Sequence, residues 1–242
     1  KLWKGHYQPN VPADLGYYDL RLPIVREQQA ALAREAGVSG FLYWHYWFGN
    51  GKRLLSEVFQ DVLDSGKPDF PFALAWANHS WYKKSWASDT NSNELLLAQT
   101  YPGIEDARMH FEFLLKAFRD PRYIKIDGKP FLLIFHPKKL PAMYIENFHK
   151  WTIEAGFKGL YLVANVIDPS ETFQDYKKIG YEAVTLNDIG NYQMRFFYEM
   201  NPIKRFAVRV YRRLREQLTG KPHLATDYGK HCKDFITSRD RG

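Results

Sequence analysis

Pro71-Phe72-Ala73-Leu74-Ala75-Trp76-Ala77, followed at once by Asn78-His79-Ser80-Trp81, is the stretch that decides the fold. Seven apolar residues with no polar face read as a strand covered on both sides, the mark of a parallel sheet flanked by other layers. Four further runs read the same way: Gly40–Tyr46, Pro130–Phe135, Gly159–Ala164 and Glu182–Leu186. Between them the period changes to that of helices. Arg21–Ala36 places Leu22, Val25, Gln29, Leu32 and Ala36 on one stripe. Arg53–Asp64, Glu105–Phe118, Pro141–Ala155 and the shorter Glu171–Ile179 repeat the theme, with Gly37, Gly66, Gly156 and Gly180 as stops. Asp127-Gly128 between two extended runs predicts a tight hairpin. Alternating strands and helices give either a doubly wound sheet or a (β/α) barrel.

Composition narrows the function classes. The chain has 242 residues, 45% hydrophobic and 25% charged, enough apolar side chain for one large folded domain. Cys232 is the only cysteine, which excludes a disulfide scaffold and cysteine-built zinc or iron–sulfur sites. No run of about 18 apolar residues reads as a membrane span. The net charge of +7 is local: Lys1–Met194 carries 22 basic and 22 acidic residues, whereas Arg195–Lys221 carries eight basic against two acidic. A basic pI of this origin does not support nucleic-acid binding. The chain starts at Lys1 without Met or a signal-like stretch, which reads as a processed form or a fragment.

In either architecture the chemistry sits at the carboxyl ends of the strands. There the chain places His45-Tyr46-Trp47, Trp76-Ala77-Asn78-His79-Ser80-Trp81, His136, Asn165 and Asn187-Asp188. Indole and phenol rings offer large rigid faces to the C–H side of a pyranose, while imidazoles and amides take its hydroxyls. The competing reading, a loop that caps the core with tryptophan, needs no polar residues at the same end of every strand. The candidate ligands are therefore Tyr46, Trp47, Trp76, Asn78, Trp81, His136, Asn165, Asn187 and Asp188, with His45 and His79 as candidates for proton transfer. Asn78-His79-Ser80 fits a glycosylation sequon, read here as coincidence. No carboxylate pair of the kind a glycosidase uses announces itself. Phosphate-loop, dinucleotide, zinc-protease and serine-hydrolase motifs are missing, and no metal or other cofactor is expected. Within Pro202–Leu218, Ile203, Phe206, Ala207, Val210, Leu214 and Leu218 share one helical face, with six Lys and Arg over most of the rest. Two readings compete: a solvated insertion whose apolar face packs on the domain, and an amphipathic helix resting weakly on an anionic membrane.

Several longer motifs in one order carry a resemblance. Lys4-Gly5-His6-Tyr7-Gln8-Pro9, Leu15-Gly16-Tyr17-Tyr18-Asp19-Leu20-Arg21, Gly40-Phe41-Leu42-Tyr43-Trp44-His45-Tyr46-Trp47-Phe48, Asp69-Phe70-Pro71-Phe72, Trp76-Ala77-Asn78, Asp120-Pro121-Arg122-Tyr123-Ile124 and Asp127-Gly128-Lys129-Pro130 together resemble the WbsX-like glycosyltransferase family. The resemblance is close from about Lys4 to Asn165 and looser beyond. It implies kinship with glycoside hydrolase family 99, a (β/α)8 TIM-barrel fold acting on mannose-type glycans, and a setting in bacterial polysaccharide and lipopolysaccharide gene clusters. It also implies that the chain holds strands two to six of eight, because the family's opening strand motif and its closing Trp-Asp-Asn and Asn-x-Trp-Asn-Glu-Trp-type motifs are absent. Related hydrolases keep their catalytic carboxylates in that closing part. Many relatives have Glu where this chain has His79 and Asp where it has Ala87. The expected organisation is a partial barrel over residues 1–200, then over 201–242 the basic amphipathic helix and the approach to missing strands. The expected function is a carbohydrate-active enzyme domain that transfers or hydrolyses glycosyl units, with a non-catalytic carbohydrate-binding module as the alternative. The expected partner is a glycan or sugar, and the expected location is the cytoplasm, with the membrane surface as the alternative.

Overall fold

The computed structural model describes residues 12, 15–83, 94–166 and 172–186, together with Phe206, Val210, Leu214 and Leu218. The chain divides into two compact units, Pro12–Asn191 and a second made of Lys1–Val11 with Tyr192–Gly242. In the second unit the four described residues are helical and exposed.

The Pro12–Asn191 unit alternates strand and helix. Its strands are β1 Phe41–His45, β2 Phe72–Trp76, β3 Trp81–Tyr82, β4 Leu95–Leu97, β5 Lys125–Ile126, β6 Lys129–Ile134, β7 Tyr161–Val166 and β8 Ala183–Leu186. Its α-helices are α1 Pro23–Glu35, α2 Glu57–Ser65, α3 Ile104–Phe118, α4 Ala142–Glu154 and α5 Phe173–Lys177. The five strands expected from sequence are β1, β2, β6, β7 and β8, and they pair in that order, all parallel.

The two faces of this sheet differ, and the difference selects between the two architectures. On one face Phe72, Leu74, Trp76, Leu132, Ile134, Leu162 and Ala164 pack with Phe59 of α2, Phe111 and Leu114 of α3, Tyr144 and Phe148 of α4 and Tyr176 of α5 in a single cluster. Each large side chain removed from water here is worth about 2 kcal/mol. The other face holds only a small cluster, Ala75, Leu133 and Val163, with Phe131, Tyr161 and Ala183 beside it. A doubly wound sheet needs helices on both faces. Sequential parallel strands with helices on one face are a section of barrel wall. Among the described residues the arc is open, so the fold is a partial (β/α) barrel.

Local chemistry sets the register. Asp127 and Gly128 take φ of 51° and 80°, the left-handed pair of a type I′ turn, and join β5 to β6 antiparallel. The buried Tyr123 hydroxyl donates to the Phe131 carbonyl at 2.6 Å and accepts the Leu74 N–H at 3.2 Å, stitching the β2 and β6 segments together. Gly40 enters β1 with no room to spare: a Cβ there would lie 2.8 Å from the Pro71 carbonyl oxygen, whose partner is the Phe41 N–H.

Two details depart from the sequence reading. The buried face of α1 is Val25, Arg26 and Ala30, while Leu22 and Leu32 are exposed. Arg26 goes inward because its guanidinium donates to the carbonyls of Leu20 and Arg21 and pairs with Asp61. Trp81 lies in a short antiparallel pair with Leu97, where only a loop was expected.

Candidate functional site

Side chains alternate along a strand, and that decides which aromatic residues face the helices. Along β1, His45 turns to the helix layer and Trp44 to the other face. Buried His45 meets buried His110 of α3, Nε2 to Nε2, at 2.8 Å. Burial, then the Arg53 charge, pushes the His45 imidazole down to about 3, and burial with His45 beside it holds His110 well below the usual histidine range. Both rings are therefore neutral near neutral pH, one donating and one accepting. Trp47 stacks on His110 with centroids 4.5 Å apart, and its Nε1–H donates to Asp106. Asp106 also accepts the Tyr144 hydroxyl at 2.9 Å and the Gly51 N–H at 3.3 Å. Trp76 is 0% exposed, edge-on to His110 at 4.3 Å, and its Nε1–H donates to the Trp47 carbonyl. The structure thus places His45, Trp47 and Trp76 inside the core, with no solvent face to offer a sugar. This departs from their reading as site residues, and the physical reason is the period of two: each points to the helix side.

A second group lies on the opposite side, at the carboxyl ends of β1, β2 and β6. Trp44, 49% exposed, meets Phe135 edge-on with centroids 5.5 Å apart. Phe135 lies 5.4 Å from His79 and 4.8 Å from His136, and the two imidazoles are 5.8 Å apart. Burial, then Lys139 and His79, lowers the His136 pKa, favouring a neutral ring able to accept a hydroxyl proton. Tyr46 meets Trp81 edge-on at 5.4 Å, and both are half-buried. Trp44 and Tyr46 also line a groove of about 780 Å³ beside β1, with Leu42 and Arg53.

Asn78 supports this group from beneath. It is 0% exposed, so the sequon is closed to modification. Its Oδ1 accepts the His136 N–H at 2.7 Å, and its Nδ2 donates to the His136 carbonyl and to the Tyr101 hydroxyl, both at 3.0 Å. The side-chain amide extends the ladder by one rung beyond the Phe135 N–H to Trp76 carbonyl bond and so fixes where the His136 ring stands. Asn165, almost buried, donates to the Phe135 carbonyl at 3.3 Å. Asn78 and Asn165 hold backbone. His79, His136, Tyr46 and Trp81 keep accessible surface. Asn187 and Asp188 lie outside the described residues.

Trp44 and Phe135 escaped the sequence reading. The signal was present: Trp44 is one residue from His45, so only one of the two could face the helix layer. Asp106 is the one buried acid among the described residues, and its oxygens are taken up by Trp47, Gly51 and Tyr144. No group of three His, Cys, Asp or Glu converges among the described residues in a way that would hold a metal ion.

This arrangement has relatives. The chain is 33% identical over 162 residues to the uncharacterized protein WxcX of Xanthomonas campestris pv. campestris strain B100. That alignment covers 66% of this chain and 23% of WxcX, so the chain spans about a quarter of the curated relative it matches. In structure it is similar to a "Glycoside hydrolase-like protein", with a TM-score of 0.50 and 18% identity over 77% of this chain and 56% of the other, a likeness of fold. The GH99 endo-alpha-mannosidase of Bacteroides thetaiotaomicron scores 0.47 at 12% identity over 75% of this chain and 52% of that one. The pattern of the family described as Glycosyltransferase WbsX matches residues 1–241. With a match of that extent, laid over a parallel barrel wall that gathers aromatic and imidazole side chains at its strand ends, the chain belongs to the WbsX glycosyltransferase family.

Proposed function

We propose that this chain is the glycan-engaging part of a carbohydrate-active enzyme and that sugar binds at the strand ends on the face away from the helices. One observation carries the reading: Trp44, Phe135, His79 and His136, from the carboxyl ends of three different strands, meet on that face with their rings partly open to solvent. A pyranose would lay its C–H face on the Trp44 indole, and the imidazoles would take two of its hydroxyls. Tyr46 and Trp81 would extend the platform to a second sugar unit. In this reading His79 or His136, the imidazoles of the group, is the proton-transfer candidate in place of buried His45. The family membership supports glycosyl chemistry, and the class of glycan in this reading is surface polysaccharide or lipopolysaccharide. Transfer and hydrolysis remain the two reaction types.

The test is titration of the full chain with manno-oligosaccharides and bacterial polysaccharide fragments, followed by isotope-edited histidine spectra. Binding that shifts the His79 and His136 resonances and is lost in Trp44→Ala supports the reading. Binding unaffected by Trp44→Ala overturns it. Turnover is then assayed with nucleotide-sugar donors and, separately, for release of reducing ends.

The second reading is a carbohydrate-binding module without catalysis. The observation that favours it is the use of Asp106, the one buried acid among the described residues, in holding loops together. Saturable sugar binding with no turnover on either substrate class would select it.

A further inference from the structure

We infer that Arg53 forms an anion subsite beside the strand-end platform and takes the carboxylate or phosphate of an acidic glycan. The inference deepens the reading above and rests on it: the platform takes the sugar ring, and Arg53 takes the charge that the sugar carries.

The fold braces Arg53 for such a contact. Directly after β1 the chain turns back on itself. The Phe48 N–H donates to the Lys52 carbonyl at 2.9 Å, the Lys52 N–H donates to the Gly49 carbonyl at 3.0 Å, and Arg53 bridges antiparallel to Trp47. Three side chains from elsewhere clip this turn. The Gln99 amide donates to the Trp47 carbonyl at 2.9 Å, the Thr100 hydroxyl donates to the Phe48 carbonyl at 2.7 Å, and buried Asp106 accepts the Gly51 N–H. The fit is close: a Cβ on Gly49 would lie 2.3 Å from the Thr100 hydroxyl oxygen. Arg53 thus stands on a fixed base and lines the same groove of about 780 Å³ as Trp44 and Tyr46, room for a sugar with a charged substituent.

Its guanidinium carbon lies 4.4 Å from the centre of the Phe113 ring. A planar cation stacked on a ring keeps the N–H groups along its edge available. Arg21, Arg26 and Arg122 spend theirs on Asp19, Asp61 and Asp120. Exposed Arg53 has no carboxylate and no hydrogen-bond acceptor among the described residues. Two acids share this part of the fold. Asp106 is buried and committed to Trp47, Tyr144 and Gly51. Glu57 lines the groove, and its charge adds to that of Asp19 at Arg21. At the β6 end, exposed Lys139 follows His136 by three residues, and its charge reaches the His136 ring. Cations therefore stand beside the platform at both the β1 and the β6 ends. A neutral hydroxyl would use one guanidinium N–H, whereas a carboxylate or phosphate takes two in parallel, with the stronger charge-assisted bonds.

The experiment titrates the full chain with a neutral manno-oligosaccharide, with the same oligosaccharide bearing one phosphate, and with one bearing a uronate unit, at low and raised salt. An acidic form is expected to bind about tenfold more tightly than the neutral one, and the advantage should shrink as salt rises. Whichever acidic form gains more identifies the source of the charge. Arg53→Gln should remove the advantage and leave neutral binding unchanged. Arg53→Lys keeps the charge without the fork and should retain only part of the advantage, and it serves alone if the glutamine variant does not fold. Equal affinity for neutral and acidic forms overturns the inference. So does an advantage that survives in Arg53→Gln, or one undiminished in Arg53→Lys. If the neutral sugar binds through Trp44 and the acidic forms gain nothing, this inference alone falls. If no form binds, the reading above falls with it.

Discussion

His45 and His110 face each other across 2.8 Å between a strand end and the middle of α3, both buried and both neutral. Only one of the two Nε2 atoms can carry the shared hydrogen. The His110 Nδ1 is buried without a partner, so an added proton on that ring would have no acceptor. The pair is a packed structural element whose cost is paid in acid.

The unfolded imidazoles take up protons near pH 6.5, whereas in the folded protein His45 does so only at about 3 and His110 well below its ordinary value. Between these limits the unfolded state binds more protons, so stability falls as pH drops below about 6.5. Each fully shifted imidazole contributes a slope of about 1.4 kcal/mol per pH unit. Half-buried His136, also lowered, adds in the same sense. Urea unfolding at pH 7.5, 6 and 5 should show the decline, and the double change His45→Gln, His110→Gln should flatten it. Equal stability at pH 7.5 and 5 would remove the buried-pair account.

Two tryptophans separate fold from function. Trp76→Ala removes a fully buried indole and its bond to the Trp47 carbonyl, at a cost of about 3–5 kcal/mol. Trp44→Ala removes a half-exposed indole and should cost about 1 kcal/mol, while abolishing sugar binding. Paired melting curves and sugar titrations check this. The proposed site fails if Trp44→Ala binds sugar normally.

Asn78→Ala leaves the His136 N–H, the His136 carbonyl and the Tyr101 hydroxyl without the partner they have now. Buried polar groups stripped of partners cost about 1–3 kcal/mol each, so a total loss of roughly 3 kcal/mol or more is expected in denaturant unfolding. Asn78→Asp keeps the acceptor for the His136 N–H but loses both donors and buries a charge. It should be no better than alanine. An aspartate variant as stable as the parent would show that the amide is not the clamp described.

Gly40→Ala sets a methyl group 2.8 Å from a backbone carbonyl oxygen that is itself held by the Phe41 N–H. Neither strand can yield without breaking the β1–β2 ladder. The expected loss is about 1–3 kcal/mol, read as a lower thermal midpoint. An unchanged midpoint would mean that the two segments have room to part.

The five strands and the five helices that alternate with them were legible because each rests on local patterns: apolar runs, helical period, glycine stops and the Asp127-Gly128 turn. The choice between a doubly wound sheet and a barrel was not, since it depends on which face of the sheet the helices cover. The same gap misled the site. Strand-end residues were recognised as a group, but His45, Trp47 and Trp76 belong with the helices, while Trp44 and Phe135, equally visible in the chain, belong with His79 and His136. Asn78 was recognised as important for the wrong partner, because a side-chain amide that binds a hydroxyl and one that binds a neighbouring backbone look alike in one dimension.

The sequence by itself determined the order of elements, which polar and aromatic residues stand at the strand ends and the concentration of positive charge in one short segment, because these follow from periodicity and counting along the chain. Only the tertiary structure decided which alternate side chains at those ends are sealed and which meet across neighbouring strands. Burial is a property of both faces of a sheet at once, and a single strand carries no mark of which face its helices will cover.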